Sequence, residues 1–231
     1  MRVSDIEQLV NFHKTLNPDI WQNGRMRPEI RLALFRIAKE FVNFIAVKDL
    51  QLTDITISGS NAAYNYNKDS DIDLHLIANS NGPCKEDLIE LFLSKKSQFN
   101  DQYDIMIGNH AVEVYVQDED AAHISNGIYS IYNDMWIKKP KHNNQRPDVT
   151  NIEDKFQFLN SQITQAIESK DSKTISELKA RIKKMRQSGL EQGGEFGVEN
   201  LAFKLLRNTG VMDRLWNAGK EADDKRLSLD K

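Results

Sequence analysis

The chain has 231 residues, of which 39% are hydrophobic, 28% are charged and 8% are aromatic, and its formal charge is −3. This composition excludes a largely disordered chain, and the small net charge excludes binding of polyanions over the whole surface, although a local basic patch could still contact nucleic acid. The single cysteine excludes an internal disulfide and a cysteine-based zinc site. No apolar run reaches the length of a membrane span, and the N-terminus lacks the apolar stretch of a signal peptide, so we expect a soluble, cytoplasmic protein that does not bind membranes.

The first predicted helix covers residues 28–47. Pro28 suits a first helical turn, and apolar side chains recur after it at the spacing of an amphipathic helix. Residues 53–58 then alternate polar and apolar side chains, which predicts a half-buried strand, and a turn-rich segment follows over 59–70.

The next predicted strand, over residues 71–77, separates its side chains onto two faces. Its apolar face consists of Ile72, Leu74 and Leu76. The opposite face presents Asp71, Asp73 and His75. We interpret His75 as a structural histidine, with an influence on a neighbouring metal site as the alternative.

The rest of the pattern divides the chain into two parts. It predicts a helix over 87–99, a hairpin formed by 103–107 and 112–116, and another hairpin formed by 128–132 and 135–138. Residues 139–150 are polar and include two prolines, as is typical of a linker, and helical periodicity then covers 151–169, 173–188, 195–208 and 211–222. We therefore predict an α+β domain with N-terminal helices over residues 1–139 and a C-terminal helical module over 151–231.

Asp71 and Asp73 form the centre of a predicted metal site. Carboxylates two residues apart on a strand project from the same face, close enough to share a pair of divalent cations about 4 Å apart. Phosphoryl transfer from a nucleoside triphosphate needs such cations on a rigid element. Gly59 and Ser60, at the end of the preceding strand, would let the backbone approach the phosphates and donate hydrogen bonds to them.

A third carboxylate is expected to complete the site. Glu113 is the first candidate, because it lies in a predicted strand whose other face consists of valines, so a charge there needs polar surroundings. Asp104, on the neighbouring predicted strand, is the second candidate. A solvated glutamate at the edge of the strand is the alternative interpretation of Glu113.

The pattern of Gly59-Ser60, Asp71-Ile72-Asp73 and a later strand carboxylate resembles the DNA polymerase β-like nucleotidyltransferase superfamily over residues 53–116. The resemblance implies a mixed sheet with helices on one face and the acids on the other, followed by a helical module. A narrower likeness, to nucleotidyltransferases of tailed bacteriophages, depends on residues 59–66 and on 199–207; for a phage-encoded chain the compartment would be the host cytoplasm. Two departures from the family pattern are Ser60 at the second glycine and Glu113 where many relatives have Asp.

The resemblance also implies an activity and its cofactors. We expect transfer of a nucleoside monophosphate from a nucleoside triphosphate, with ATP as the expected nucleotide, to a hydroxyl acceptor with release of pyrophosphate. Mg²⁺ is the expected metal, with Mn²⁺ as a substitute. The acceptor stays open among an RNA end such as that of tRNA, a protein hydroxyl and a small molecule. A catalytically inactive, nucleotide-binding regulatory protein is the alternative.

Further residues are candidates for binding the nucleotide. Tyr64, in the loop between the two halves of the motif, could stack on a base or sugar, or could simply pack the loop onto the domain. Lys183, Lys204 and Arg207 lie on predicted helices of the C-terminal module, which in this superfamily supplies cations to the triphosphate. A solvated basic face is the alternative for these helices.

Overall fold

A computed structural model describes residues 12–47, 50–68, 70–79, 85–121, 125–142 and 148–229. These residues form two compact units, one comprising the described residues between 12 and 142 and the other those between 148 and 229. Each unit has its own hydrophobic core.

The first unit combines helices with a mixed sheet. In chain order its elements are β1 (Trp21–Gln22), β2 (Arg25–Met26), α1 (Pro28–Ile45), β3 (Leu52–Ser58), a short 3-10 turn (Ser60–Ala62), β4 (Ile72–Ala78), α2 (Lys85–Gln102), β5 (Met106–Ile107), β6 (His110–Asp118), β7 (Ile128–Ser130) and β8 (Met135–Lys138). Strands β1 and β2 pair as a small antiparallel ribbon. The larger sheet has the order β5-β6-β4-β3-β7-β8, in which β4 and β6 are parallel and the other neighbours are antiparallel. Helix α2 makes the crossover that a parallel pair requires.

The core lies on one face of this sheet. Ile72, Leu74 and Leu76 of β4 are fully buried and pack in one cluster with Phe41 of α1 and Phe99 of α2. Burial of each such side chain contributes about 1.5–3 kcal/mol. The period-two pattern therefore predicted the buried face of β4 correctly, and the predicted α+β class with a mixed sheet is confirmed.

Several predicted boundaries differ from the structure. Strand β4 begins at Ile72, so Asp71 immediately precedes the strand. Helix α2 continues to Gln102, and the predicted strand 103–107 is reduced to Met106–Ile107, which leaves Asp104 exposed in the connection. The helix runs past residue 99 because residues 100–102 contain no glycine or proline that would end it.

The second unit is helical. It contains α3 (Val149–Ser169), α4 (Ser172–Gly193), a 3-10 turn (Gly194–Phe196), α5 (Val198–Asn208) and α6 (Val211–Leu227). The carboxylates of Asp148 and Asp171 cap α3 and α4 by accepting hydrogen bonds from the backbone amides of Asn151 and Thr174, at 3.1 and 2.8 Å. Within the described segments, every helix is too short or too polar to cross a lipid bilayer.

Candidate active site

The turn after β3 packs directly against the carboxylate of Asp73. Gly59 has φ 76° and ψ −162°, a conformation that is accessible essentially only to glycine. A Cβ atom built on Gly59 would lie 2.0 Å from Oδ2 of Asp73, so no side chain fits between them. The turn and the Asp73 carboxylate, which sequence spacing could only associate, are thus in contact.

Strand register aligns Asp73 with two polar neighbours. Ser58 of β3 lies opposite Asp73 on one side, and Glu113 of β6 lies opposite Asp73 on the other. Residues directly opposite each other on adjacent strands project from the same face. Ser58, Asp73 and Glu113 therefore form a polar row across the sheet, on the face opposite the core.

Asp71 lies at the entrance to β4. It is half-buried, and the alternation of burial along residues 71–78 places it on the same face as Asp73. The side-chain amide of Asn61 donates to the backbone carbonyl of Asp71 at 3.0 Å. Asp71 therefore lies outside the paired part of the strand and is contacted by a residue of the Gly59–Ser70 segment.

His75 of β4 and Tyr115 of β6, which lie opposite each other, form a second polar row next to the first. Nε2 of His75 lies 3.1 Å from the Ser58 hydroxyl, and the His75 ring stacks on Tyr115 with 4.9 Å between centroids. The Tyr115 hydroxyl donates to the Glu113 carboxylate, and Nζ of Lys96 lies 3.8 Å from the centre of the Tyr115 ring. Sequence reasoning did not identify Tyr115 or Lys96. The same period-two rule could have placed Tyr115 on the face of Glu113, whereas Lys96 comes from α2 and gives no such signal.

The acidic side chains fit a divalent cation by donor type and register. Carboxylate oxygens are the ligands that Mg²⁺ and Mn²⁺ prefer, and Asp73 and Glu113 are direct neighbours on the sheet. Among the described residues, no group of three histidine, cysteine, aspartate or glutamate side chains is arranged around a common metal position. The backbone places the donors together, while the Tyr115 hydroxyl holds Glu113 by one oxygen.

Ser60 and Tyr64 already have contacts within the first unit. The Ser60 hydroxyl donates to the Ser70 hydroxyl at 2.9 Å, so a bond from Ser60 to a phosphate would replace this one. The Tyr64 ring stacks on His142 with 3.6 Å between centroids, and the nearby Tyr66 stacks on His13 at 4.0 Å. One face of Tyr64 is therefore covered by His142, and its contact with a nucleotide stays a prediction.

The basic candidates lie in the helical unit. Lys183 is exposed on α4, and Lys204 and Arg207 lie on α5, half-buried and exposed respectively. Their part in binding a triphosphate stays a prediction. Another lysine of this unit, Lys179, has its Nζ 4.5 Å from the centre of the Trp216 ring. Desolvation there lowers the pKa of Lys179, and the charge of Asp223 partly opposes this effect.

No family model matches the chain, and no curated protein matches it, so the narrower likeness to phage proteins gains no support. Among solved structures, the chain is similar to the STING-associated CdnE c-di-GMP synthase from Capnocytophaga granulosa, with 12% identity, coverage of 96% of this chain and 98% of that chain, and a TM-score of 0.25. A TM-score this low does not establish a shared fold.

Proposed function

We propose that the protein is a metal-dependent nucleotidyltransferase that moves a nucleoside monophosphate from a nucleoside triphosphate to a hydroxyl acceptor and releases pyrophosphate. The observation that supports this proposal is the packing of the Gly59 turn against Asp73, which is itself aligned with Glu113. A turn that admits phosphate oxygens beside carboxylates is useful only where cations lie between them, because the carboxylates alone would repel a triphosphate.

Each residue has a distinct part in the proposed reaction. Asp71, Asp73 and Glu113 would hold Mg²⁺ or Mn²⁺, which when bound would neutralise the phosphates and lower the pKa of the attacking hydroxyl. Gly59 lets the turn at the end of β3 pack against the Asp73 carboxylate, and Ser60 would orient the triphosphate through its amide and hydroxyl groups. Rotation of the Glu113 side chain away from Tyr115 would free its second carboxylate oxygen for the same site.

The proposed partners follow from this chemistry. The donor is a nucleoside triphosphate, with ATP as the expected nucleotide, and Lys183, Lys204 and Arg207 are the proposed cationic contacts of the phosphates. The acceptor is an RNA end such as that of tRNA, a protein hydroxyl or a small molecule. The proposed setting is the cytoplasm.

One observation favours a second candidate, a nucleotide-binding protein without catalysis. The Tyr115 hydroxyl engages the Glu113 carboxylate, and the described acids are not gathered around one metal position. A protein that kept the scaffold and lost the reaction would show nucleotide binding with no transfer.

Transfer can be tested with each of the four nucleoside triphosphates labelled at the α-phosphorus. The protein is incubated with one of them, Mg²⁺ or Mn²⁺, and a cell lysate that supplies acceptors. Label should move to RNA, protein or a metabolite, which identifies the acceptor class. Asp73→Asn should slow transfer by about a thousandfold, equivalent to about 4 kcal/mol of transition-state stabilisation, and Asp71→Asn should act in the same direction.

Asp101→Asn is the matched control, because Asp101 is an exposed acid in the last turn of α2. It should transfer at the wild-type rate. Full metal-dependent transfer by both Asp71→Asn and Asp73→Asn would refute the proposed site. Binding of a nucleotide with no transfer to any fraction of the lysate would favour the non-catalytic candidate.

A further inference from the structure

A cluster of buried polar side chains connects the Gly59–Ser70 segment to two distant parts of the chain. Asn17, Asn61 and His110 are 3%, 0% and 4% exposed, and Ser70 is also buried. Buried polar groups destabilise a fold unless hydrogen bonds satisfy them. These residues come from three distant parts of the chain and bond to one another, so we call Asn17, Asn61, Ser70 and His110 the buried network.

Asn61 connects both ends of the segment that separates the two halves of the motif. It lies in the turn directly after Gly59-Ser60, and its backbone carbonyl accepts a hydrogen bond from the Trp21 indole at 2.7 Å. Its side-chain amide nitrogen donates to the carbonyls of Ser70 and Asp71, at 2.9 and 3.0 Å. The Asn61 side chain thus connects the Gly59-Ser60 turn to the residues that lead into β4.

The bond to Asp71 matters because the sheet does not position this residue. Pairing of β4 with β6 begins at Ile72, and pairing with β3 begins at Asp73. Asp73 is fixed by both ladders, whereas Asp71 precedes them. The contact from Asn61 therefore contributes to the spacing between the two carboxylates.

The other members of the buried network fix the orientation of Asn61. Nδ2 of Asn17 donates to Oδ1 of Asn61 at 2.8 Å and to Nε2 of His110 at 2.9 Å, while Oδ1 of Asn17 accepts from the amide of Asp19 at 3.0 Å. Nδ1 of His110 lies 2.7 Å from the Ser70 carbonyl, which can only accept. All these bonds are satisfied together when His110 is neutral and carries its proton on Nδ1.

We propose that Asn61, oriented by Asn17 and His110, is a positioning residue that sets Asp71 beside Asp73 for a shared divalent cation. Asn61 acts through Asp71 and does not itself contact the cation. This inference rests on the proposed function, because it assigns Asn61 to the same metal site.

Binding of Mn²⁺, measured by electron paramagnetic resonance in the 231-residue chain, tests the inference. Asn61→Ala should weaken Mn²⁺ binding about tenfold or more, a change in binding free energy of about 1.4 kcal/mol. Asn17→Ala leaves the contacts of Asn61 with Ser70 and Asp71 in place, so it should weaken binding in the same direction by a smaller factor. This second variant decides the matter if Asn61→Ala does not fold.

Ser130→Ala is the matched control for lost stability. Ser130 is fully buried in the same unit, and its hydroxyl donates to Asp54 at 2.7 Å, on the β7 side of β3. The variant should lower the melting temperature and leave Mn²⁺ affinity at the wild-type value. Wild-type affinity in a folded Asn61→Ala protein, or an equal loss of affinity in Ser130→Ala, would overturn the inference.

Hydrogen exchange without metal separates this inference from the proposed function. Asn61→Ala should reduce the protection of peptides that span residues 60–73, and Ser130→Ala should not. If the wild-type chain binds no Mn²⁺, the proposed metal site fails. In that case loss of protection still supports the positioning of Asp71 by Asn61, and unchanged protection overturns it.

Discussion

At the scale of single residues, the contact between Gly59 and Asp73 is the central feature of the candidate site. The Gly59 backbone is in a region that costs other residues about 1–3 kcal/mol, and the Asp73 carboxylate occupies the space of a Cβ atom. The two constraints act together, because any side chain at this position would both strain the turn and displace the carboxylate.

Gly59→Ala should therefore lower the free energy of unfolding by about 1–3 kcal/mol, or more where Asp73 cannot move, and it should abolish nucleotide transfer. The measurements are urea unfolding and the transfer assay. Gly108→Ala is the control, since Gly108 also has positive φ, at 60°, but a Cβ atom there would meet nothing within 4 Å. That variant should lose stability through backbone strain alone and should keep its activity. An active, fully stable Gly59→Ala protein would contradict this account.

At the scale of elements, the hairpin β7–β8 is joined to the β1–β2 ribbon by aromatic packing. Tyr129 is fully buried and makes edge contacts with Trp21 and Trp136, at 4.9 and 5.0 Å between centroids. Its hydroxyl donates to Asp134 at 2.7 Å. Desolvation, supported by this hydrogen bond, raises the pKa of Tyr129 to about 12.

This shift predicts a loss of stability in alkali. The folded state holds the Tyr129 proton more tightly than the unfolded state, whose tyrosine pKa is about 10. The stabilisation is complete below the unfolded pKa and is lost as pH rises through the folded value, so the window is about pH 10 to 12. Tyr129→Phe should show a smaller decline in that window. Unfolding at fixed pH values measures the difference, and equal declines in both proteins would contradict the assignment.

The elements themselves were largely predictable. Helix α1, strands β3 and β4, and the hairpin β7–β8 follow from periodicity and turn signals, because the residues that define them are neighbours in sequence. The strand expected over 103–107 was largely wrong. Residues 103–105 form the connection after the end of α2, and only Met106–Ile107 form a strand. Local patterns cannot tell where one element gives way to the next when no glycine or proline marks the boundary.

At the scale of the whole molecule, the described residues form two hydrophobic cores that share no residue. The helical unit buries Ile152, Ile163, Leu205, Leu206 and Leu215 among its own helices. Such a core is the condition for independent folding. We therefore expect residues 144–231, expressed alone, to be helical and to unfold cooperatively.

Leucine truncation in this isolated segment tests whether its core is the one described. Leu215 is 0% exposed and Leu229 is 95% exposed. Leu215→Ala should cost about 2–5 kcal/mol, measured by circular dichroism during thermal or urea unfolding, and Leu229→Ala should cost almost nothing. A non-cooperative transition in the unmutated segment, or equal effects of the two substitutions, would exclude an independent helical core.

By itself, the sequence determined the α+β class, the buried face of β4, and the association of Gly59-Ser60 with Asp71 and Asp73, because each depends on residues close together in the chain, whereas the mixed sheet was expected from the family resemblance. Only the tertiary structure decided the alignment of Asp73 with Glu113, the hold of Tyr115 on Glu113, and the buried network around Asn61. Asn17 and His110 are 93 residues apart, and their meeting depends on how the sheet and the N-terminal segment pack. No local pattern records that packing, since a buried hydrogen bond constrains the two residues jointly and leaves neither with a distinctive neighbourhood in sequence.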